Sequence, residues 1–445
     1  MSNRFWQGSS SLKTPDYVNM TTKSLSHGLW AASAPEAPPT PELDREIHVD
    51  VAVIGAGYTG LSAALHLAEL GRSVAVLEAE VPGHGGSGRN VGLVNAGMWV
   101  MPDALRQNLG EDLGGRMLSF LGDGPSAVFD LINQHGIDCE ATRRGTLHCA
   151  VGSSGLTEIS ERAQQWSALN APVEVLAAKG AAEKLGTKAF EGALWDHRAG
   201  TVQPMAYVRG LCCAAMKAGA LVYGKSPVTE VGQGPDHWTL TTPTGKVHAD
   251  WLIAATNMYT ASVWPELATS QVVLPYFNMA TASLPADVLA SILPERQGAW
   301  DTRSVLTSFR LDQAGRLIFG SVGQLGVEAA IHAGFAQRSL RAMYPQLGEI
   351  SFDYQWWGQI GMTPDNLPRI TKLGRNALAV SGYNGRGIAP GTVCGRALAH
   401  HIAGNLPISE IPLPVVDLTP DPMRTARGLG YRAGAAALHA VAQRV

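Results

Sequence analysis

The chain has 445 residues, of which 45% are hydrophobic and 16% are charged, and its formal net charge is −3 at pH 7. This length favours two intergrown domains, and the composition is that of a well-buried globular protein rather than a disordered or collagen-like one. Because positive and negative side chains are scattered along the chain, nothing indicates a nucleic-acid-binding surface. A small or zwitterionic ligand is the better expectation.

The cysteines have neither the number nor the spacing of a disulfide framework or a zinc site. They are Cys139, Cys149, Cys212, Cys213 and Cys394. We expect reduced thiols, no metal site and a cytoplasmic location. The first residues lack the basic and apolar regions of a signal peptide, and no apolar run reaches the roughly 20 residues that cross a bilayer, so no transmembrane segment is expected.

In chain order, residues 1–46 are polar and then rich in proline, and we expect them to be extended, wrapping the surface or staying mobile. Regular structure is predicted to begin with a buried parallel strand over 49–54, a helix over 59–70 and a second buried strand over 73–78. These three elements make one β-α-β unit.

The remaining pattern alternates between helices and strands. Helices are predicted over 116–135, 156–169, 205–218 and up to residue 402, and strands over 221–231, 251–255 and 377–380, with a hairpin over 238–247 and a strand-rich block over 271–323. The segment 423–445 has helical spacing, and we expect a helix packed on its own domain.

A glycine-rich turn joins the first predicted strand to the first helix, with the sequence Gly55-Ala56-Gly57-Tyr58-Thr59-Gly60. In this GxGxxG pattern the first glycine permits a tight turn, the second lets a pyrophosphate approach the backbone, and the third lets helix and strand pack closely. Glu78 ends the second strand at the spacing suited to a ribose 2′-hydroxyl. Its charge disfavours NADP, whose 2′-phosphate carries the same sign.

A second glycine-rich stretch, Gly85-Gly86-Ser87-Gly88-Arg89-Asn90-Val91-Gly92, follows the second strand within a few residues. An NAD-binding domain would usually continue there to another helix and strand. Backbone donors and Arg89 near the same phosphates suit a longer cofactor, so the sequence favours FAD over NAD. The alternative is a flexible surface loop.

Together these motifs resemble the D-amino-acid oxidase / sarcosine oxidase superfamily of FAD-dependent amine oxidoreductases, and within it the gamma-glutamylputrescine oxidase-like branch. The resembling segments keep the family's order and are 51–79, 85–90, 249–260, 315–320, 357–368 and 382–387. The predicted fold is α/β plus α+β, a Rossmann-type FAD-binding domain intergrown with a mainly antiparallel-sheet substrate domain. The predicted boundaries are 47–100, 195–265 and 360–445 for the first domain, and 101–194 and 266–359 for the second.

The resemblance also implies which residues hold FAD: those of the two glycine-rich turns, one position at the adenine, one strand end and a third loop under the flavin ring. They are Gly55, Ala56, Gly57, Tyr58, Thr59, Gly60, Glu78, Ala79, Gly86, Ser87, Gly88, Arg89, Asn90, Val228, Ala255, Thr256, Asn257, Gly382, Tyr383, Gly385, Arg386, Gly387 and Ile388.

Three positions depart from the family's pattern. Arg386 stands where members commonly have histidine, and a surface ion pair is its alternative role. Gly358 stands where monomeric sarcosine oxidase attaches its flavin to a cysteine, and Arg89 where dimethylglycine dehydrogenase-like members use a histidine. FAD is therefore expected to bind noncovalently.

The implied reaction is hydride transfer to flavin N5 from a carbon beside an amine, giving an imine that water hydrolyses. The substrate is then a small amine or amino acid, and the acceptor is O2 or an electron carrier. Ala389 occupies the place of a lysine in sarcosine oxidases, which weakens the case for an oxidase. The alternatives are an NAD(P)H-dependent flavin monooxygenase or reductase and a non-catalytic FAD-binding subunit.

Catalytic roles are predicted for two residues, Trp357 beside the substrate and Arg386 beside the flavin, where a cation and a helix N-terminus stabilise negative charge. Further wall candidates are Trp356, Tyr276, Phe277 and Met98, with core packing as the alternative. Carboxylate-binding candidates are Arg303, Arg310 and Arg369, with solvated surface positions as the alternative.

Overall fold

The computed structural model describes residues 27–260 and 263–442. Its helices are α1 (Gly28–Ser33), α2 (Tyr58–Glu69), α3 (Pro102–Leu109), α4 (Glu111–Gly122), α5 (Gly124–His135), α6 (Gly152–Ala168), α7 (Ala178–Leu185), α8 (Pro204–Lys217), α9 (Pro265–Thr269), α10 (Ala286–Leu289), α11 (Ala329–Met343), α12 (Ile388–Ile402) and α13 (Arg424–Val441).

The strands are β1 (Glu46–Ile54), β2 (Val74–Leu77), β3 (Leu93–Val94), β4 (Thr146–Ala150), β5 (Val173–Ala177), β6 (Gly192–Asp196), β7 (Gly200–Thr201), β8 (Leu221–Tyr223), β9 (Glu230–Gln233), β10 (Trp238–Thr241), β11 (Lys246–Ala254), β12 (Val272–Ser283), β13 (Gly298–Asp301), β14 (Thr307–Leu311), β15 (Arg316–Val322), β16 (Tyr354–Met362), β17 (Arg369–Gly374), β18 (Ala377–Ser381) and β19 (Val415–Val416).

The first sheet is built around parallel strands. Its order is β19-β17-β18-β11-β1-β2-β8, with β10 and then β9 added antiparallel beside β11. The strands from β18 to β8 run parallel to one another, and α2, α8 and α12 pack against this sheet and against each other. The predicted β-α-β unit is confirmed, because β1 and β2 pair in parallel with Val51 opposite Val74 and α2 connects them.

The second sheet is almost entirely antiparallel, in the order β16-β12-β15-β14-β13-β4-β6-β5. Only the pair β13–β4 is parallel among its described strands. Helices α7 and α11 cover it with apolar side chains such as Leu185 and Phe335. The predicted combination of an α/β part and an α+β part is confirmed by this pairing.

Helices cross between the two sheets, so the domain boundaries stay a proposal. The α5 helix lies in the segment assigned to the substrate domain, yet it packs against α12 of the first sheet. Conversely, α13 lies in the segment assigned to the FAD-binding domain, and it packs against β12 and α11 of the second sheet.

Two predicted elements are interrupted in the structure. The helix predicted over 116–135 is split into α4 and α5 at Asp123, immediately before Gly124 and Pro125. The strand predicted over 221–231 is split into β8 and β9. Between them the Ser226 N–H donates to Glu78 O at 2.8 Å, a tertiary hydrogen bond that interrupts the predicted strand. In each case a local breaker or a tertiary hydrogen bond overrides the periodic pattern.

The proline-rich segment follows the expected path only in part. Residues 1–26 of the predicted 1–46 segment lie outside the described residues. Residues 34–44 carry no helix or strand and are held at the surface, for example by Arg209 Nη1 donating to Pro35 O at 2.5 Å. The α1 helix was not predicted, and it buries Leu29 and Trp30 completely.

Each cysteine is unpaired in the structure; all except Cys213 are buried. Across the described residues, no helix is long and apolar enough to span a bilayer.

Candidate functional site

A large cavity of about 1520 Å³ opens at the carboxyl ends of β1, β2 and β11 and extends to the face of the second sheet. Pockets for drug-sized ligands occupy about 300–1,000 Å³, so this volume accommodates a larger ligand or two ligands together. In open parallel sheets, the carboxyl ends of the strands are also where nucleotides bind.

The glycines of the first turn allow its backbone to make close contacts that a β-carbon would block. Gly55 has φ of +100°, a conformation that glycine adopts without strain. A β-carbon at Gly57 would lie 2.9 Å from Ser87 Oγ. At Gly60 a β-carbon would collide with Gly55 O, so that glycine permits the close contact between α2 and β1. The α2 helix begins at Tyr58, and its N-cap, Gly57, supplies no capping side chain. The Tyr58 N–H donates to Ser87 Oγ at 3.1 Å, and this helix N-terminus lines the cavity.

Glu78 closes the turn from the end of β2. Its Oε2 accepts a hydrogen bond from Ala56 N at 2.8 Å, and its Oε1 accepts one from Glu80 N at 3.2 Å. The carboxyl group lines the cavity, and its enclosure by protein raises its pKa. These two bonds fix the carboxylate while leaving lone pairs for a ligand hydroxyl.

The second glycine-rich loop is fastened to the first through Tyr58. The Tyr58 hydroxyl donates to Ser87 O at 2.6 Å, and Asn90 Nδ2 donates to the Tyr58 hydroxyl at 3.2 Å. Arg89 Nε donates to His84 O at 2.8 Å. Hydrogen bonds therefore join the two loops into one cradle, which argues against the alternative of a flexible surface loop.

The third loop leads into α12, which crosses α2 at close range. Gly382 and Gly385 have φ of +84° and +86°, respectively. A β-carbon at Gly395 would lie 2.8 Å from Ala63 N of α2. The α12 helix begins after Gly387 without a capping side chain, so a second helix N-terminus adjoins the same cavity.

Arg386 is a buried cation in an aromatic box. Its guanidinium carbon lies 4.4 Å from the ring centroid of Trp99 and 4.9 Å from that of Trp300. Its Nη1 donates to Ala96 O at 3.1 Å and to Met98 O at 3.2 Å. Among the described residues no carboxylate lies within 4.0 Å of it, so the predicted alternative of a surface ion pair is wrong. Burial, and next the charge of Arg162, lower the pKa of Arg386.

His148 lines the same cavity as Arg386. Its ring stacks on Trp300 with centroids 3.4 Å apart and planes 13° apart, and only 3% of the residue is exposed. Neither ring nitrogen has a hydrogen-bond partner among the described residues. Burial, followed by the charges of Arg162 and Arg386, lowers the pKa of His148 far below its usual value. The imidazole is therefore neutral and has a donor and an acceptor to offer.

The structure brings most of the predicted cofactor residues to this cavity. The lining includes Gly55, Ala56, Gly57, Tyr58, Thr59, Glu78, Ala79, Gly86, Ser87, Arg89, Asn90, Val228, Ala255, Thr256, Asn257, Tyr383, Gly385, Arg386, Gly387 and Ile388, together with Trp357.

Three of the predicted cofactor residues do not line it. Gly60 packs on Gly55, Gly88 packs on Met205 and the carbonyl of Gly83, and Gly382 packs on Thr363 and the carbonyl of Leu367. Each of them lets backbone segments approach closely and so helps to place the residues that line the cavity.

Two of the five residues predicted to wall the substrate line the cavity. Tyr276 and Trp357 line the cavity, and the Tyr276 hydroxyl shares a 2.7 Å hydrogen bond with Ser308 Oγ. The other three candidates are core residues: Trp356 donates to Arg89 O, Phe277 packs among apolar and histidine rings, and Met98 is buried behind Arg386.

Of the arginines proposed for a substrate carboxylate, only Arg303 lines the cavity, and its Nη1 already donates to Asp301 Oδ2 at 2.5 Å. Arg310 is fully buried and donates to Val202 O at 2.5 Å, while Arg369 pairs with Asp365 outside the lining. Both fill structural roles.

Sequence reasoning missed Trp99, Trp300 and His148. His148 and Trp300 are register partners in the parallel β4–β13 pair, which joins positions about 150 residues apart in the chain. No local motif marks either residue, so no sequence signal could have found them.

These features define a dinucleotide-binding flavoprotein fold: two glycine-lined turns, an acidic strand end and two helix N-termini around one elongated cavity. The cradle fits FAD: β-carbons at Gly55 and Gly57 would lie 3.1 Å from Ala255 O and 2.9 Å from Ser87 Oγ, so side chains there would crowd a turn that lines the cavity together with Glu78. Comparison of the chain with known protein families identifies its family. Residues 50–401 match the model of the DAO family, described as FAD dependent oxidoreductase, and the chain belongs to it.

Individual relatives agree with this assignment. The chain is 32% identical over 380 residues to gamma-glutamylputrescine oxidoreductase of Escherichia coli (strain K12), covering 84% of this chain and 88% of the relative. Among solved structures, glycine oxidase from Geobacillus kaustophilus superimposes with a TM-score of 0.67 at 19% identity, covering 84% of this chain and 98% of that one. The structure of L-proline dehydrogenase from P. horikoshii gives a TM-score of 0.66 at 16% identity, with 83% and 96% covered.

The family resemblance, the fold class, the FAD cofactor and the enzyme class predicted from the sequence are thereby confirmed. The protein is an FAD-dependent oxidoreductase of the DAO family.

Proposed function

We propose that this oxidoreductase oxidises a C–N bond in a small amine or amino acid, yielding an imine that hydrolyses to a carbonyl compound and an amine or ammonia. The observation that carries the proposal is the continuity of the cavity. It runs from the cofactor cradle at Glu78 to a chamber walled by Trp99, Trp300 and Trp357, where a small molecule fits beside the cofactor. The names of the relatives, gamma-glutamylputrescine oxidoreductase and glycine oxidase, support the substrate class.

Bound FAD supplies the hydride acceptor, flavin N5, and the protein supplies orientation and electrostatics. Gly55, Gly57 and Glu78 would hold the ADP portion, and Ser87 and Asn90 would lie by the pyrophosphate. No cysteine lines the cavity among the described residues, and Gly358 stands at one of its walls, so we propose that FAD is held noncovalently.

The residues of the chamber have complementary roles in this proposal. The indoles of Trp99 and Trp300 exclude water and orient an apolar part of the substrate. Arg386 and the N-terminus of α12 place positive potential where negative charge accumulates during reduction. Neutral His148 offers its unpartnered nitrogens to a polar group of the substrate.

A substrate amine that binds in its neutral form needs no separate general base. Buried cations favour that form, because an ammonium group would be repelled by Arg386. In this proposal the reaction therefore needs no carboxylate dyad. We further propose that the enzyme works in the cytoplasm, as expected from its unpaired cysteines.

The decisive experiment is anaerobic mixing of the FAD-loaded full-length protein with a panel of primary and secondary amines, including gamma-glutamyl amides. Loss of the visible flavin absorbance with an amine, and not with NADH, is expected. If the reduced protein is reoxidised in air and hydrogen peroxide forms, O2 is the acceptor. If it is reoxidised by an artificial electron carrier but not by O2, the enzyme is a dehydrogenase.

Two results would overturn the proposal. Loss of absorbance with NADH alone would indicate a monooxygenase or reductase. A protein that binds FAD and is bleached by neither the amine panel nor NADH would indicate a non-catalytic FAD-binding subunit.

A further inference from the structure

A second cluster of polar side chains lies on the first sheet, far from the FAD cradle. Glu46 and His48 stand at the start of β1, and His248 stands on β11. The ligand atoms of these three side chains all lie within 4.8 Å of one another. Ile54, which lines the cavity, is eight positions after Glu46 along β1, roughly 26 Å away at the rise of a β-strand.

The strand register produces this convergence. His48 and His248 are paired residues in the parallel β1–β11 ladder, so their side chains emerge on the same face. Glu46 lies two residues before His48, and residues i and i+2 share a face of a strand. Three side chains from two hydrogen-bonded strands therefore project from one small area of the sheet, on a backbone that is already fixed.

Neighbouring side chains hold His248 in a defined orientation. Its Nε2 lies 2.7 Å from Glu46 Oε1, and its Nδ1 lies 3.0 Å from Thr239 Oγ1. Thr239 is the register partner of His248 on β10. A metal-binding histidine characteristically uses one ring nitrogen as ligand while the other is held by an oxygen. Here Thr239 is placed to hold Nδ1, which leaves Nε2 on the side of Glu46.

The other imidazoles complete the arrangement. The His48 ring stacks on the His248 ring with centroids 4.6 Å apart, and the His237 ring lies edge-on to His248 at 5.2 Å. Glu46 and His48 are exposed, so an ion reaches them directly from solvent. His237, in the β9–β10 hairpin, is close enough to supply a fourth ligand after a side-chain rotation.

We propose that Glu46, His48 and His248 form a binding site for a divalent transition-metal ion of the zinc class. Two imidazoles and one carboxylate are a ligand set that Zn²⁺ accepts, with the fourth position taken by water or by His237. Imidazole ligands disfavour Mg²⁺ and Ca²⁺, which bind oxygen. Bond lengths of about 2.0–2.2 Å place tetrahedral ligand atoms roughly 3.3–3.5 Å apart. Glu46 Oε1 and His248 Nε2, which are 2.7 Å apart, would separate by roughly 0.7 Å, and the wider ligand pairs, up to 4.8 Å apart, would close by up to about 1.4 Å.

The ion would cross-link two neighbouring strands. It would join the first residues of β1 to β11, which is the strand pair at the centre of the first sheet, and through Thr239 it would steady the hairpin strand β10. It would not touch the FAD cavity. The sequence prediction of no metal site rested on cysteine spacing, whereas these ligands are separated by about 200 residues in the chain.

The test is calorimetric titration of the FAD-loaded, chelator-treated full-length protein with ZnSO4, alongside thermal unfolding with and without Zn²⁺. One saturable equivalent and a rise in Tm are expected for the wild type. Glu46→Gln and His248→Gln should each abolish this binding, and Thr239→Val should weaken it about tenfold by releasing the second nitrogen of His248. Unchanged FAD content and circular dichroism show that each variant is folded.

His197→Asn is the matched control, because His197 lies 3.8 Å from Glu174 in a pair that has a single imidazole. That variant should bind Zn²⁺ as the wild type does. The proposal is overturned if wild-type protein shows no saturable binding, or if Glu46→Gln and His248→Gln bind Zn²⁺ as tightly as the wild type.

Discussion

At the scale of single residues, the chamber beside the cradle contains buried polar groups whose hydrogen bonding within the described residues is incomplete. Arg386 is buried with two carbonyl acceptors and no carboxylate, and His148 is buried with no hydrogen-bond partner in the described chain. Leaving such groups unsatisfied costs free energy that a folded protein normally avoids. Their retention is explained if a polar group of the substrate completes their hydrogen bonding.

Replacement of His148 tests this interpretation. His148→Phe keeps the stack on Trp300 and removes two buried nitrogens, so the free energy of unfolding should stay within about 1 kcal/mol of wild type or rise. The KM for an amine substrate should rise about three- to tenfold through loss of one hydrogen bond. Urea unfolding and steady-state kinetics measure the two effects, and an unchanged KM would contradict the role assigned to His148.

We expect Glu78 to make FAD binding sensitive to pH. Its pKa is raised, so it takes up a proton at a higher pH than an ordinary glutamate and then loses acceptor capacity for the ribose. FAD affinity should therefore fall as pH falls through this raised pKa. Glu78→Gln should weaken FAD binding about 10- to 100-fold near neutral pH and flatten the pH dependence.

Quenching of flavin fluorescence during titration of apoprotein, between about pH 5 and 8, measures both quantities. The surface variant Glu111→Gln serves as control. Equal pH dependence in Glu78→Gln and wild type would show that another group titrates.

Gly60 tests the packing behind the cradle rather than the cradle itself. Gly60→Ala places a β-carbon against Gly55 O, which should destabilise the fold by about 1–3 kcal/mol. Gly115→Ala is the control, since a β-carbon there meets nothing within 4 Å and the position lies within α4. Urea unfolding should separate the two variants, and equal stability of both would mean that α2 can move away from β1.

At the scale of elements, α13 is anchored on the second sheet by a pair of buried histidines. His439 Nδ1 lies 2.9 Å from His332 Nδ1 of α11, and its Nε2 lies 3.2 Å from Ser321 Oγ. Its ring also stacks on Phe335. Arg432 of the same helix forms an ion pair with Glu328 at 2.9 Å, and Arg432 lines the cavity. The packing of this helix therefore shapes the cavity wall.

This anchor predicts acid sensitivity. Burial, and next the neighbouring His332, lower the pKa of His439 to about 3. The unfolded chain takes up a proton near the ordinary value of about 6.5, so the stabilisation is present above that pH and is lost as pH falls toward about 3. His439→Phe should show a smaller drop in Tm from about pH 7 to 5 than wild type.

Thermal unfolding by circular dichroism at both pH values measures the difference. His197→Asn, an exposed histidine variant, should drop as the wild type does. A drop of equal size in His439→Phe would assign the acid sensitivity to other groups.

The elements also show what sequence can and cannot reveal. The β1-α2-β2 unit was predictable because its glycines, apolar blocks and Glu78 lie within about 30 residues of one another. The α1 helix was not, since six residues carry too little periodic signal and depend on burial of Trp30 against Trp356. The cradle was thus readable from local motifs, whereas the chamber depends on the pairing of β4 with β13, which no local pattern encodes.

At the scale of the whole molecule, the cavity is formed jointly by both sheets. Glu78 and Val228 come from the first sheet and its connections, and Tyr276 and Trp357 come from strands of the second. A ligand that spans the cavity contacts both parts at once. Binding of FAD should therefore stabilise the molecule as one unit.

The expected result is a single unfolding transition whose Tm rises with FAD concentration, by an amount equivalent to about 2.7 kcal/mol when free FAD is 100 times its Kd. Thermal scans by circular dichroism at several FAD concentrations measure it. Two separate transitions, only one of them shifted by FAD, would show that the sheets unfold independently.

The short α1 helix, which precedes the first strand, supports the second glycine-rich loop. Trp30 Nε1 donates to Asn90 O at 2.8 Å, so an indole from the N-terminal segment holds the second glycine-rich loop by a hydrogen bond. Trimming the chain to the start of β1 would remove this prop while leaving every residue of the dinucleotide fingerprint in place. A shortened protein of that kind would carry the full motif and still lack the support that keeps its loop in shape.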